Sequence, residues 1–106
     1  MVKYVQVITT ASSKEEAEKI SQAVVEKRLA GCVQIIGPIT STYWWKEKIE
    51  KAEEWLCFIK SRIDLYQELE STIRQVHSYD VPEILVMPVA EGNKSYLNWL
   101  ESELKK

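Results

Sequence analysis

The chain has 106 residues, of which 45% are hydrophobic and 28% are charged, and its formal net charge is −2. This length predicts a single domain over residues 1–106, and the composition excludes an intrinsically disordered protein. A slightly acidic chain offers no basic surface to a phosphate backbone, so we expect no nucleic-acid partner.

The first third of the chain predicts a strand followed by a helix. Residues 4–10 are rich in β-branched and aromatic side chains, which favours a strand. Ser12 and Ser13 offer N-caps, with Glu15 and Glu16 three residues later, and apolar residues then recur at helical spacing. The basic pair 27–28 is expected in the last turn of this helix, and Gly31 in the left-handed position that follows it.

A long hairpin is predicted next. Residues 32–36 and 39–45 form its first strand, and Gly37-Pro38 between them predicts a bulge or bend. Residues 46–47 are the expected turn, and residues 48–61 return as the second strand. Strands of this length exceed the usual five or six residues, so we expect the hairpin to project beyond the domain.

The last third predicts a helix, a strand and a short helix. Asp64 is the expected cap of the second helix, which ends near residues 77–80. Residues 83–89 form the final strand, and Asn93 caps the last helix. The order β-α-β-β-α-β-α predicts an α+β ferredoxin-like sandwich, with helices on one face of a four-stranded antiparallel sheet and an extra C-terminal helix.

The N-terminus carries no signal-peptide pattern, and no apolar run approaches the length of a membrane span. We therefore expect a cytoplasmic protein without membrane insertion. Cys32 and Cys57 lie in apolar strands, where thiols usually act as small buried hydrophobes, and a soft ligand role toward Cu(I) is the alternative.

Five segments match motifs of one known family, in order along nearly the whole chain. They are 26–33 (EKRLAGCV), 41–45 (STYWW), 60–61 (KS), 77–84 (HSYDVPEI) and 96–100 (YLNWL). In these segments the chain resembles the CutA family of divalent-cation tolerance proteins. The resemblance implies a ferredoxin-like fold, a homotrimer whose hairpins wrap neighbouring subunits, copper binding reported for members, and an architectural similarity to PII signalling proteins.

The chain departs from the family pattern at several positions. Glu47 stands at a hairpin position that is commonly Gly, and Ser78 replaces a Pro. Some bacterial members carry a copper-linked cysteine and a second histidine where this chain has Thr9 and Val76. Only His77 remains of that set, so the copper site of the family carries over weakly.

His77 is the only histidine, and its imidazole suits copper or another divalent cation. Asp80 and Glu83 lie close in sequence and are the other candidate ligands. One chain supplies no convincing set of three or four ligands, although a trimer brings groups from two chains together. The alternative is a histidine held at a helix C-terminus by the helix dipole and hydrogen bonds.

The hairpin carries four aromatic residues that we expect at the trimer interface: Tyr43, Trp44, Trp45 and Trp55. Burial within one chain is the alternative for them. The adjacent carboxylates Glu53 and Glu54 point to opposite faces of a strand, so they cannot converge as an acid/base pair.

The sequence thus predicts a non-enzymatic trimer in divalent-cation tolerance, with weak binding of copper or another divalent cation. With one histidine and few glycines, the chain offers no phosphate-binding loop or nucleophile motif. A PII-like regulator is the alternative, with a small effector or protein partner in inter-subunit clefts that contain Lys60, Tyr79 and Glu83.

Overall fold

The computed structural model describes residues 2–106, and it confirms the predicted order of elements. The elements are β1 (Tyr4–Ala11), α1 (Lys14–Glu26), β2 (Cys32–Trp45), β3 (Lys48–Arg62), a 3-10 turn (Ile63–Leu65), α2 (Tyr66–Val76), β4 (Ile84–Pro88) and α3 (Lys94–Glu103). The four strands form one antiparallel sheet in the order β2-β3-β1-β4. This is the ferredoxin-like arrangement that the sequence predicts.

The two faces of the sheet differ in their surroundings. One face packs against α1 and α2, and on it the paired residues Val7 and Ile59 are completely buried. Cys57 lies on the same face, where its thiol contacts the Ala17 carbonyl of α1. Because side chains alternate along a strand, the neighbours of these residues point to the other side of the sheet. We call that other side the open face; Ile8 lies near its centre.

The ends of α1 and α2 correct three predictions. Gly31 does not adopt a left-handed conformation; Arg28 does, at φ 59°, and α1 ends at Glu26 before the basic pair. Gly31 instead leaves room for α3, since a Cβ there would lie 2.6 Å from Cδ1 of Leu100 and that side chain would have to shift. Asp64 does not cap α2, because its carboxylate accepts a 2.6 Å hydrogen bond from Nε of Arg62.

The N-caps of α1 and α3 are confirmed. The Ser13 hydroxyl accepts a hydrogen bond from the backbone N–H of Glu16 at 3.0 Å. The side-chain oxygen of Asn93 likewise accepts a hydrogen bond from the backbone N–H of Tyr96 at 3.0 Å. Each cap satisfies a backbone donor that the first helical turn leaves without a partner, which fixes where the helix begins.

The hairpin of β2 and β3 has strands of 14 and 15 residues, and it gives the molecule extents of 45 × 25 × 22 Å. The predicted bulge is confirmed as a register shift between Ile36 and Ile39. At the tip, Lys46 and Glu47 both have positive φ, which a two-residue turn of this kind requires. Within residues 2–106, no helix is both long and apolar enough to cross a membrane.

Candidate functional site

A groove of about 700 Å³ lies between the hairpin and the loop that joins α2 to β4. We call it the loop–hairpin groove. Hydroxyl side chains from β1, β2 and the loop contribute to its lining. Its charged and aromatic lining consists of Glu54, Asp80, Glu83, Tyr43, Trp45 and Tyr79.

The register of the hairpin explains which of its side chains reach the groove. Glu54 pairs with Ile39, and Tyr43 and Trp45 follow at even spacing along β2 on the same side. This side continues the open face. Trp44 pairs with Ile49 and therefore points to the opposite side of the hairpin. The predicted interface aromatics thus divide between two faces.

Tyr79 closes the base of the groove through a hydrogen bond. Its hydroxyl donates to Oε2 of Glu54 at 2.8 Å. Burial first, and then this bond and the negative charge of Glu54, raise the pKa of Tyr79 well above its usual range. The phenol therefore stays protonated near neutral pH, where it acts as a hydrogen-bond donor and not as a base.

His77 is buried, and both of its ring nitrogens have partners within the chain. Nε2 lies 2.6 Å from the carbonyl oxygen of Thr10, and Nδ1 accepts the backbone N–H of Tyr79 at 3.1 Å. Because Nδ1 accepts, Nε2 is the ring nitrogen that donates to the Thr10 carbonyl. The arrangement matches the alternative interpretation of His77 as a structural residue, and a metal ligand here would have to replace one of these two bonds.

Glu16 ties the same loop to the start of α1. Its carboxylate accepts the backbone N–H of Ser12 at 3.0 Å and that of Ser78 at 2.7 Å. Burial opposes ionisation of this group, but the hydrogen bonds from Ser78 and Ser12 outweigh it and lower the pKa of Glu16. The loop is thus held by Glu16 at one point and by Glu54 at another.

The structure brings some predicted site residues together and separates others. Asp80 and Glu83 are exposed at the groove, whereas His77 lies behind it. No group of three or more metal-binding side chains occurs within residues 2–106. Metal ligation by these residues stays a prediction.

Lys60, a candidate cleft residue, lies outside the loop–hairpin groove of its own chain. Its ammonium donates to Oε1 of Gln34 at 2.8 Å on the open face. It is six residues from Glu54 on β3, a separation of about 20 Å along the strand. Lys60 and Tyr79 therefore do not share a groove within one chain, and a cleft between subunits that contains both stays a prediction.

Trp55, one of the four aromatic residues expected at the trimer interface, lies where β3 pairs with β1, away from the hairpin tip. It pairs with Ala11, packs against the hydrophobic core, and lies directly on Gly37 at the bulge. Its large ring is therefore part of the packing within one chain, which was the alternative for the hairpin aromatics.

Sequence reasoning missed Glu54 and Glu16 as site residues. The strand period does place Glu54 on the same side as Leu56 and Phe58. Nothing local in the sequence identifies Tyr79, 25 positions away, as its partner. Glu16 was recognised only as a helix-capping residue, and its bond to Ser78 spans 62 positions.

A family model and the sequences of related proteins all match this chain to the same family. The model of the family described as CutA1 divalent ion tolerance protein matches residues 5–103. The chain is 40% identical to the Divalent-cation tolerance protein CutA of Thermus thermophilus over 94 residues, which cover 89% of this chain and 91% of that protein. It is 46% identical to Protein CutA of Mus musculus over 91 residues, covering 86% of this chain. The match spans about half of the mouse protein, 51%.

Solved structures agree with the sequence relatives. The crystal structure of CutA1 from Oryza sativa superposes with a TM-score of 0.96 at 34% identity, covering 99% of this chain and 96% of the rice chain. The structure of the divalent cation tolerance protein from Thermus thermophilus gives a TM-score of 0.94 at 37% identity, covering 96% of this chain and 99% of that one.

Proposed function

This chain belongs to the CutA1 family of divalent ion tolerance proteins, and from that premise we propose that it acts in tolerance to divalent cations as a homotrimer. The proposal includes weak binding of copper or another divalent metal and no enzymatic reaction. A cytoplasmic location is part of it, supported by the free thiols of Cys32 and Cys57. The observation that carries the trimer is the apolar surface of the open face.

The open face exposes apolar side chains that a monomer rarely leaves in water. Phe58, Ile8 and Leu85 lie side by side across three strands in register; Leu85 is exposed, Phe58 is half-buried and Ile8 is buried between them. Ile36 and Met87 extend this row diagonally, and Ile36, Leu85 and Met87 are 52%, 51% and 41% exposed. Burial of such a contiguous surface against further copies of the chain would remove it from water.

The edge of the sheet supports assembly as well. Along its outer side, β4 has no strand partner within residues 2–106. Its residues Val86 and Met87 are exposed. An unpaired edge with apolar side chains favours pairing with another chain, and the projecting hairpin of a neighbouring subunit is long enough to supply one.

The tip of the hairpin gives a third argument. Trp44 is 71% exposed and its partner Ile49 is 62% exposed, on the side opposite to Tyr43 and Trp45. A hairpin with apolar residues on both sides is shielded from water on both sides only when it inserts between two protein surfaces. In a trimer, each hairpin can contact a neighbour while its own open face contacts another, and the three contacts close into a ring.

Metal binding is proposed at the loop after α2, with His77, Asp80 and Glu83 as ligands. The carboxylates of Asp80 and Glu83 are exposed and make no hydrogen bond within residues 2–106, whereas His77 must give up its bond to Thr10 or Tyr79. This cost supports weak affinity, as does the finding that no three metal-binding side chains come together within residues 2–106. Ligands from a second subunit or water would complete the coordination.

Native mass spectrometry of the metal-free protein, repeated with one equivalent of Cu(II) per chain, tests both parts. We expect three copies of the 12.3 kDa chain, about 37 kDa, taking up copper in steps of one per subunit. His77→Ala should reduce uptake, while Gln75→Ala on the outer side of α2 should not. A monomeric mass would refute the trimer, and equal uptake by both variants would remove His77 from the metal site.

A further inference from the structure

The loop–hairpin groove contains a buried carboxylate without a matching cation. The side chain of Glu54 is only 7% exposed, yet it lines the groove. Tyr79 occupies its Oε2, and within residues 2–106 its Oε1 has no hydrogen-bond partner and no basic side chain forms an ion pair with it. Among the described residues, the buried side-chain oxygen that lacks a partner is Oγ1 of Thr9 and not Oε1 of Glu54. Oε1 is therefore open to the groove and available to a donor that enters it.

The rest of the groove favours a positively charged occupant. Asp80 and Glu83 add two carboxylates at the rim, and no Lys or Arg is among the lining residues in the described part of the chain. Without a basic residue in the lining, the groove carries a concentrated negative potential that attracts cations.

Aromatic walls restrict the kind of cation. The rings of Tyr43, Trp45 and Tyr79 line the same groove. Aromatic faces attract ammonium groups and pack against methylene chains, but they do not ligate hydrated metal ions. The free oxygen of Glu54 requires an N–H donor, which a primary ammonium has and a quaternary ammonium lacks.

We propose that the loop–hairpin groove binds a small organic cation with primary ammonium groups, of the alkyl diamine class. One ammonium group donates to Oε1 of Glu54, and a second lies near Asp80 and Glu83. The methylene chain between them packs on Tyr43 and Trp45. Every group named belongs to one chain. Asp80 and Glu83 are also the proposed metal ligands, so a diamine and a metal ion would compete for the groove, and Tyr43 and Trp45 are also expected at the interface, so the test uses the assembled, metal-free protein.

Isothermal titration calorimetry of the assembled, metal-free protein with 1,4-diaminobutane tests the proposal. At physiological ionic strength, salt screens the attraction between a diamine and exposed carboxylates more than the attraction to a buried carboxylate. A heat signal that saturates therefore indicates binding in the groove. We expect one diamine bound per chain. The neutral 1,4-butanediol, which has the same length, should give no saturable binding, and tetramethylammonium should bind more weakly than the diamine.

Glu54→Gln is the decisive variant, because the amide can still accept the Tyr79 hydrogen bond while the charge is removed. We expect its affinity for the diamine to fall by at least about tenfold, as for loss of a charged hydrogen bond. Glu53→Gln is the matched control: it makes the same change one residue away, on the opposite side of the hairpin, and should leave affinity unchanged.

Glu83→Gln provides a second variant at an exposed position that folding does not depend on. It should weaken diamine binding about threefold, in keeping with a solvent-exposed charge. The proposal is overturned if the parent protein binds no diamine, if butanediol binds equally well, or if Glu54→Gln and Glu53→Gln bind with equal affinity. If Glu54→Gln fails to fold, unchanged affinity in Glu83→Gln overturns the placement of the second ammonium group.

Discussion

The hydroxyl of Tyr79 lies 2.8 Å from Oε2 of Glu54, and this bond joins the loop after α2 to the centre of β3. Glu54 is buried, so the phenol supplies the donor that water would otherwise provide. The bond fixes the position of the loop against the hairpin, and with it the width of the groove. Several expected properties of the protein depend on such contacts between distant segments.

Tyr79→Phe removes this donor and leaves the buried Glu54 carboxylate without its partner. We expect the free energy of unfolding to fall by about 1–3 kcal/mol, the usual cost of an unsatisfied buried acceptor. Tyr96→Phe is the control, since Tyr96 is exposed on α3, and its effect should stay within about 0.5 kcal/mol. Urea unfolding at one fixed protein concentration gives both values; equal stability of the two variants would contradict the structural role of Tyr79.

Gly37→Ala should be destabilising because of the ring of Trp55. A Cβ at position 37 would overlap Cδ1 of this ring and lie 2.7 Å from its Cγ. An aromatic ring cannot bend away as the end of an aliphatic side chain can, so we expect a loss of about 1–3 kcal/mol. At Gly92 the nearest atom to an added Cβ is 3.2 Å away, in Leu97. Gly92→Ala should therefore cost less in thermal unfolding, and the reverse order would be inconsistent with this packing.

The hydrogen bonds of Glu16 predict a pH-dependent contribution to stability. The pKa of this carboxyl is lower in the folded chain than in the unfolded one, so its contribution is present above the unfolded value, near 4.5, and is lost as pH falls through the folded value. Glu16→Gln should cost about 1 kcal/mol at neutral pH and much less at acidic pH. Glu15→Gln, in the same helical turn but exposed, should show no such pH dependence. Parallel curves for both variants from acidic to neutral pH would refute the assignment.

Local chemistry made part of this fold predictable. The caps Ser13 and Asn93 depend on residues within three positions, and the bulge depends on Gly37-Pro38 itself. Predictions failed where a neighbouring side chain or a distant contact competed. Asp64 pairs with Arg62 instead of capping α2, and Gly31 accommodates Leu100, 69 positions away, instead of a left-handed turn.

The site was less predictable than the fold for the same physical reason. The sequence identified His77 as a residue of interest, but its partner, the Thr10 carbonyl, is 67 positions away. The groove likewise needs the hairpin and the loop to meet, which depends on the Tyr79–Glu54 contact. No periodicity or motif encodes a pair of this kind, whereas alternation along a strand does predict which hairpin side chains share a face.

The two cysteines should differ in reactivity. Burial raises the pKa of the Cys57 thiol to about 11, whereas Cys32 is only half-buried. The thiolate is the nucleophile, so Cys57 should resist alkylation in the folded protein. We expect Cys32→Ser to gain no adduct from iodoacetamide near pH 8 by intact mass, and to gain one in urea. Rapid labelling of the folded variant would show that Cys57 is accessible.

Trp44→Asp tests whether the outer side of the hairpin tip is buried in the assembly. Trp44 is the most exposed aromatic side chain on the hairpin, at 71%, and it faces away from Tyr43 and Trp45. A carboxylate in an apolar contact is strongly unfavourable, so dilution monitored by native mass spectrometry should show dissociation at higher protein concentration than for the parent. Ser71→Asp places the same charge on the exposed side of α2 and should leave assembly unchanged. If Trp44→Asp stays as oligomeric as the parent, then only the side of the hairpin that carries Tyr43 and Trp45 takes part in the interface, and Trp44 is left free for another partner.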